Sequence, residues 1–301
     1  MDPHLACVLT VVFALLFDMA NGWNDAANAI ATSVSTRVLR PATALVFSAV
    51  LNFVGALFSS EVAKTVGKDL ADPSLLVPET FLAAVIVAPA WVTYCTLRGL
   101  PISCSHSLMG GLIGSVLATA GPAALKAGGI RKIVFGVFVS PVAGFLLGYL
   151  ILQAVLLVAR TWRPSTVSRV FGKLQILSAG AMAFSHGTGD AQKAMGLITG
   201  ALLVGGFLAP RGDGGMEIPL WVRLSCAAVM GLGTAIGGWR VIRTLGMRIA
   251  HLKPHQGFAA EAGAATTILV NTLTGIPLST THSITGAIMG VGVARGARGV
   301  R

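Results

Sequence analysis

The sequence predicts an all-α, polytopic membrane protein. Hydrophobic residues make up 54% of its 301 residues and charged residues only 11%, and the mean hydropathy is +0.79. Apolar stretches long enough to cross a bilayer recur along nearly the whole chain, so the sequence is suited to lipid rather than to water. This pattern leaves no room for a soluble enzymatic domain.

The apolar stretches define the candidate helices, each bounded by charged residues, glycine or proline. They run over about 5–36, 41–60, 79–98, 101–120, 131–159, 172–208, 218–239, 256–275 and 277–294. The stretches 5–36 and 172–208 are longer than the roughly 20 residues that one crossing needs. Polar, glycine-containing runs interrupt both, so both are predicted to be broken helices.

The positive net charge of +11 comes mostly from Lys and Arg residues between the apolar stretches. In a soluble protein it would suggest a nucleic-acid partner, but in a membrane protein basic loops set the topology. The loops 37–40, 160–173 and 240–253 are therefore expected in the cytoplasm, and 61–78 and 209–217 outside. No nucleic acid is expected as a partner.

Two sequence patterns occur twice, in the same order. Asn21 to Ala29 aligns without a gap with His186 to Ala194, sharing one Gly, one Asp and two Ala. Pro101 to Gly114 aligns with Pro277 to Gly290, sharing Pro, Ser, His, Ser and two Gly. The chain therefore contains an internal repeat.

The repeat predicts two transmembrane halves, 1–159 and 174–301, joined by a basic and cytoplasmic linker, 160–173. Repeats of this kind are typical of secondary transporters, in which the second half is inverted when the first has an odd number of crossings. The number of crossings in the first half is odd or even depending on whether 101–120 crosses the bilayer or returns to its own side. The sequence leaves both alternatives open.

The Pro-led runs predict an anion site. In each half, proline precedes a group of hydroxyl-bearing residues and a Gly-rich apolar helix, an order that gives helical hairpins with polar tips. The first N–H groups and hydroxyls of such a helix point the same way and attract negative charge. Two of these helix ends facing each other would hold a tetrahedral oxyanion, phosphate or sulfate. The candidate anion-binding residues are Ser103, Cys104, Ser105, Ser279, Thr280, Thr281, Asn24 and Lys193.

Intramembrane carboxylates point to a coupling cation. Asp25 and Asp190 lie in the two related polar runs, and ionisable groups at membrane depth are functional by default, although Asp190 could also pair with Lys193. With the amides of Asn28 and Gln192 they offer oxygen ligands to sodium, or one carboxylate could carry a proton. Glu261, a single acid in an apolar stretch, is a further candidate for cation coupling.

The three histidines near these runs are interpreted as hydrogen-bonding groups that orient or cap the hairpins. His106, His186 and His282 have no ligand-like spacing in the sequence, which argues against a zinc site. No metal beyond sodium and no cofactor are expected.

The segment Gly22 to Ala29 fits Gly-x-Asn-Asp-x-Ala-Asn-Ala, and with it the chain resembles the PiT-type inorganic phosphate transporters. The resemblance extends to Phe184 to Gly187, to Gln192-Lys193 and to the two Pro-x-Ser-x-x-His-Ser runs. It implies a multi-pass protein of the cell membrane, with inverted repeats, that imports phosphate by symport with sodium or protons. Expected partners are phosphate, the coupling cation and the lipid bilayer, with a homodimer as one possible assembly.

The chain departs from the family pattern at two places. Gly189 stands where the second motif usually has Asn, which removes an amide ligand and makes a sulfate permease of the same fold an alternative. The second half ends at Arg301 without a counterpart of 131–159, which favours a truncated C-terminus.

The sequence also offers two other classes of protein. An intramembrane serine hydrolase would use Ser103 or Ser279 with a nearby His and Asp, but no Gly-x-Ser-x-Gly elbow is present. Duplication of the whole arrangement also suits a two-sided binding site better than a single nucleophile. An anion channel is the other alternative, and it would lack saturable, cation-coupled uptake.

Overall fold

The computed structural model describes residues 1–209, 216–248 and 252–294. Within these ranges the structure is helical, apart from one isolated β-bridge between Ala71 and Leu125, which confirms the predicted fold class. The helices are α1 (Pro3–Ser35), α2 (Pro41–Ala56), α3 (Glu61–Lys64), α4 (Pro78–Arg98), α5 (Cys104–Ala120), α6 (Ala127–Val158), α7 (Pro164–Val204), α8 (Leu220–Ile236), α9 (Trp239–Arg243), α10 (Pro254–Leu273) and α11 (Thr280–Val293). The predicted loops 209–217 and 240–253, and the last residues of the second half, lie partly outside the described residues.

Three of the helices, α1, α4 and α6, are long and apolar enough to cross a membrane. Two bent helix pairs could each provide a further crossing. The chain bends by 62° between α2 and the helical segment that begins with α3, and by 61° between α8 and the helical segment that begins with α9. The outer face of α6 exposes Phe138, Val142, Leu146 and Leu150 at intervals of four residues. An exposed apolar stripe of this kind suits contact with lipid.

The two longest helices are unbroken, contrary to the prediction for 5–36 and 172–208. α1 continues for 33 residues and α7 for 41. Polar side chains in the middle of both helices are buried and mostly bonded to side chains of neighbouring helices, so the backbone does not have to unwind to satisfy them. The broken helices that the sequence predicts are present, but they are the pairs α2–α3 and α8–α9.

Glycines allow neighbouring helices to approach the polar faces of α1 and α7. A Cβ atom at Gly22 would collide with the carbonyl oxygen of Met230 in α8, and one at Gly187 would collide with that of Asn52 in α2. Backbones in membrane proteins come this close only where small residues line the interface.

The order of helices in residues 3–120 recurs in residues 164–293. Each part has a long helix, a bent pair, a further helix and a shorter helix that begins after a Pro-x-Ser run. The long helices also exchange partners, because α1 packs against α8 and α7 packs against α2. This exchange agrees with a two-fold relation between the halves, and their inverted orientation in the membrane stays a prediction.

Most of the predicted linker 160–173 is helical, since α6 ends at Val158 and α7 begins at Pro164. Its basic residues, among them Arg163 and Lys173, are exposed. Their position in the cytoplasm stays a prediction.

Candidate functional site

Four buried ionisable residues meet between α1 and α7, next to the first turns of α5 and α11. Asp25 belongs to α1, and His186, Asp190 and Lys193 belong to α7. None of the four is more than 1% exposed. We refer to these four residues as the central cluster.

The spacing in α7 explains why its three members are adjacent. Residues four and then three positions apart lie on one face of a helix, so His186, Asp190 and Lys193 point the same way. Lys193 forms an ion pair with Asp190, and its Nζ also donates a hydrogen bond of 2.5 Å to Oγ of Ser105 at the start of α5. Nε2 of His186 lies 3.5 Å from Oδ2 of both Asp25 and Asp190.

The first turn of α11 closes the cluster from the other side. The hydroxyl of Thr280 is 3.2 Å from Oδ2 of Asp25 and 3.3 Å from Oδ2 of Asp190. The hydroxyl of Thr281 is 3.2 Å from Oδ1 of Asp25 and 2.8 Å from the carbonyl oxygen of Ile102. Two hydroxyl protons therefore face four acceptor contacts, so these two threonines cannot satisfy all four at once.

The protonation of His186 follows from a chain of hydrogen bonds that leads away from the cluster. The hydroxyl of Thr234 donates to the carbonyl oxygen of Met230 at 3.0 Å, so it can only accept from Nδ2 of Asn52, which is 2.8 Å away. Oδ1 of Asn52 then faces Nδ1 of His186 at 2.9 Å, and Nδ1 carries the proton. In the neutral ring, Nε2 consequently directs a lone pair at the two carboxylates.

These atoms form a group suited to a cation. Asp25, His186 and Asp190 each offer one ligand atom, and the three atoms lie within 4.8 Å of one another. The ligands come from two helices, so the linear spacing that argued against histidine as a ligand missed this arrangement. With neutral His186, the cluster has two carboxylates and one ammonium group, a net charge of −1.

The hairpin tips carry the helix N-termini that the sequence predicts. Ser103 is the N-cap of α5, and its hydroxyl accepts from the backbone N–H of His106 at 3.1 Å. Ser279 caps α11 in the same way, accepting from the N–H of His282 at 3.2 Å. As N-caps, both serines position the ends of their helices. The earlier N–H groups of each first turn are left without helical partners.

The structure brings most of the predicted residues to one place. Asn28 donates to the hydroxyls of Thr281 at 3.0 Å and Thr280 at 3.4 Å, and the buried thiol of Cys104 faces Asp25. The predicted residues that belong to the cluster, contact it, or reach it through the two threonines are Asp25, Asn28, Cys104, Ser105, Asp190, Lys193, Thr280 and Thr281.

Gln192 lies elsewhere, although the sequence analysis grouped it with the cation ligands. Its Oε1 accepts from the backbone N–H groups of Val62 at 2.8 Å and Ala63 at 3.2 Å, and its Nε2 donates to the carbonyl oxygen of Thr188. Gln192 therefore accepts hydrogen bonds from N–H groups in the first turn of α3 that have no partner within the helix. On α7 it points away from the face that carries Asp190.

Asn24 also lies outside the cluster. Its amide nitrogen donates to the hydroxyl of Thr96 at 2.7 Å and to the carbonyl oxygen of Leu100 at 3.5 Å. These bonds connect α1 to the end of α4 and to the segment that leads into the hairpin tip. Asn24 is thus placed to position the tip.

Glu261 forms a separate buried site with its own donors. The hydroxyls of Thr32 and Ser178 each donate to its carboxylate at 2.5 Å, and Nε2 of Gln175 donates at 3.2 Å. Glu261 is 0% exposed, and these three donors compensate its burial. It has no contact with the central cluster.

Two residues of the site were missed or misread in the sequence. His186 was interpreted as a hairpin residue, whereas its spacing of four from Asp190 on a helix would have indicated a shared face. Asn52 was not singled out, although an amide in the middle of an apolar stretch is unusual enough to be a signal. His106 and His282 pack edge to face with ring centroids 4.7 Å apart.

The fold and the buried cluster together indicate a multi-pass protein of the cell membrane, a transporter and not an enzyme. The model of the phosphate transporter family matches residues 21–301, and the chain belongs to this family. Against the hydrolase alternative, the hydroxyls of Ser103 and Ser279 serve as helix caps.

Relatives and a solved structure agree with this assignment. A "probable low-affinity inorganic phosphate transporter" of Bacillus subtilis is 42% identical over 295 residues, which cover 97% of this chain and 87% of the relative. A protein of the same description from Rhizobium meliloti is 43% identical over 305 residues, covering 100% of this chain and 90% of that one. A solved structure described as "the sodium-dependent phosphate transporter" superposes with a TM-score of 0.87 at 26% identity, covering 97% of this chain and 90% of that chain.

Proposed function

We propose that this chain imports inorganic phosphate by symport with sodium, and that the central cluster is the shared binding centre. The relatives are described as inorganic phosphate transporters and the solved structure as sodium-dependent. The observation that carries the proposal for the cluster is that acceptor atoms outnumber the two threonine hydroxyl protons that face them. Asp25, Asp190 and the lone pair of His186 converge where the available hydroxyl protons are too few.

Charge explains why transport would be coupled. With neutral His186, the cluster has a net charge of −1 before anything binds, so an anion alone would enter against repulsion at membrane depth. One sodium ion neutralises the cluster, and a second offsets dihydrogen phosphate. Cations therefore bind first and create the site for phosphate. The empty site, and the site with two sodium ions but no phosphate, both keep a net charge and do not cross.

The donors that would hold phosphate lie on the hairpin tips and on α7. Lys193 and Ser105 are already bonded to each other, and the first N–H groups of α5 and α11 add the positive ends of two helix dipoles. Since the hairpins come from different halves of the sequence, a movement of one half against the other would open the site alternately to the two sides.

Phosphate suits this site better than sulfate. Dihydrogen phosphate has two O–H groups that can donate to the carboxylates of Asp25 and Asp190, whereas sulfate at neutral pH has none. A sulfate ion would leave the surplus acceptors unpaired, and sites that hydrogen-bond a ligand group discriminate strongly against ligands that lack it.

A basic cavity next to the first hairpin tip supports a path for the anion on the predicted cytoplasmic side. It has a volume of about 470 Å³ and is lined by Leu100, Arg98, Arg240 and Arg243, among others. Leu100 immediately precedes the Pro-led run, so the cavity lies beside the tip that holds Ser105. Positive charge at this position attracts phosphate and lowers the barrier to its movement.

The proposal is tested by uptake into proteoliposomes that contain the purified protein. Labelled phosphate and labelled sulfate are compared under an inward sodium gradient, an inward proton gradient and no gradient. We expect saturable phosphate uptake driven by sodium. Uptake driven by protons alone would show that the coupling ion is the proton and not sodium. Preferential uptake of sulfate would show that sulfate is the substrate, and non-saturable flux would indicate a channel.

A further inference from the structure

α1 contains a second buried carboxylate that the central cluster does not use. Asp18 is 0% exposed, and neither of its oxygens has a hydrogen-bond partner. Asn21, one helical turn further on, is equally buried, and both polar atoms of its amide are without partners. The thiol of Cys226 in α8 faces Asp18, but a thiol is only a weak donor. Polar groups at membrane depth are normally paired, because each unpaired group costs several kcal/mol.

The position of this pair relates it to the cluster. Asp18, Asn21 and Asp25 are separated by three and four residues and therefore share one face of α1. Asp18 precedes Asp25 by two helical turns, about 10 Å along the axis, and interacts electrostatically with the cluster. Thr32, the donor to Glu261, follows Asp25 by two further turns. Two acids and the threonine that bonds a third acid are thus evenly spaced along α1.

We propose that Asp18 and Asn21 form an outer sodium site that loads the central cluster. Two carboxylate oxygens and one amide oxygen are the hard ligands that a sodium ion takes. A proton on Asp18 would still leave both polar atoms of the Asn21 amide without partners, because Asp18 and Asn21 do not hydrogen-bond each other. In the proposed site one ion takes oxygen ligands from both residues.

The assignment of sodium to this site rests on the proposed function. With the basic loop 37–40 in the cytoplasm, as the sequence predicts, the N-terminal end of α1 faces outside. Asp18 then lies between the outside solution and the central cluster, where an arriving cation is bound first. Its negative charge is compensated by the ion until the ion moves on to Asp25.

The test is equilibrium binding of radioactive sodium to the purified full chain, together with the sodium dependence of phosphate uptake. Asp18→Asn keeps the shape of the side chain and removes its charge. We expect this variant to lose one of the bound sodium ions and to need a several-fold higher sodium concentration for half-maximal uptake. Thr10→Val is the matched control on the same helix, because the Thr10 hydroxyl bonds the carbonyl oxygen of Ala6; it should bind sodium as the parent does.

Each result distinguishes a sodium site at Asp18 and Asn21 from another role of these two residues. Unchanged sodium stoichiometry in Asp18→Asn overturns the proposal, and so does a shift in pH dependence with unchanged sodium binding. Should Asp18→Asn fail to fold, Asn21→Ala keeps the carboxylate and must still weaken sodium binding several-fold; unaltered binding there rejects the site. The parent protein could also bind sodium but take up no phosphate. In that case, loss of one bound sodium ion in Asp18→Asn would support this site while rejecting the proposed function.

Discussion

Asp25 of α1 and Asp190 of α7 approach the same hydroxyl, that of Thr280, at 3.2 and 3.3 Å. One hydroxyl proton can satisfy only one carboxylate at a time. The two related motifs of the sequence therefore meet at a point that needs a further positive group. Repetition of the motif places a carboxylate from each half in one centre, which a single copy could not do.

Replacing Asp25 with Asn should abolish sodium-driven uptake while the protein still folds. The substitution keeps the shape of the side chain but removes a charge that the cation needs. An interaction with a charged group is worth about 1.5–3 kcal/mol, so we expect sodium affinity to fall by roughly 10–100-fold. Uptake in proteoliposomes and size-exclusion chromatography measure function and folding separately. Near-normal uptake in this variant would exclude Asp25 from the mechanism.

Removing the charge of Lys193 should destabilise the protein more than removing the whole ion pair. Lys193→Met leaves Asp190 buried and uncompensated, and breaking one side of a buried pair costs about 3–5 kcal/mol. The double variant Lys193→Met with Asp190→Asn should recover much of the thermal stability in detergent but not phosphate uptake. Recovered uptake in the double variant would show that the pair is structural and does not hold substrate.

Asn52 should control the sodium affinity of the cluster although it touches neither aspartate. Asn52→Asp would favour a doubly protonated His186, because the new carboxylate pairs with the ring. Nε2 would then donate to Asp25 and Asp190 and compete with the cation, so the sodium concentration for half-maximal uptake should rise several-fold. Ser48→Ala, one turn earlier on α2, is the control, since that buried hydroxyl has no partner. Equal sodium dependence in both variants would contradict the assignment of the ring protons.

Much of this architecture could be predicted from the sequence, because hydropathy, helix punctuation and repeated motifs are local signals. The unbroken course of α1 and α7 could not. It depends on partners far away in the sequence, such as Asn52 for His186 and Thr280 for Asp25. The roles of Gln192 and of Glu261 were hidden for the same reason, since motif adjacency does not show which face of a helix a side chain occupies.

Close packing at Gly22 should be essential, whereas a glycine on an exposed helix face should tolerate alanine. Gly22→Ala places a methyl group against the carbonyl oxygen of Met230, and neither backbone can retreat without separating α1 from α8. We expect a clear loss of thermal stability in detergent. Gly114→Ala is the control, because a Cβ there meets nothing within 4 Å. Equal stability of the two variants would mean that the α1–α8 contact is looser than described.

Gly189 should not be a missing ligand of the binding centre, in contrast to the expectation from the family motif. A Cβ at this position would point at the hydroxyl of Thr272, 2.9 Å away, and toward Ile268, both on α10. The corresponding residue of the first motif, Asn24, bonds Thr96 on α4 at 2.7 Å. An asparagine at 189 would therefore repeat that bond once the Thr272 side chain rotates. Gly189→Asn should change thermal stability slightly, since such interhelical bonds are worth about 0.6 kcal/mol.

The same variant should leave the ratio of phosphate to sulfate uptake and the sodium dependence as they are, because its amide would bond α10 outside the central cluster. Asn24→Ala is the complementary variant, and it should loosen the approach to the first hairpin tip and lower uptake. If Gly189→Asn instead altered substrate preference, position 189 would contact the substrate, and the two halves would differ in the binding centre itself and not only in how their hairpins are held.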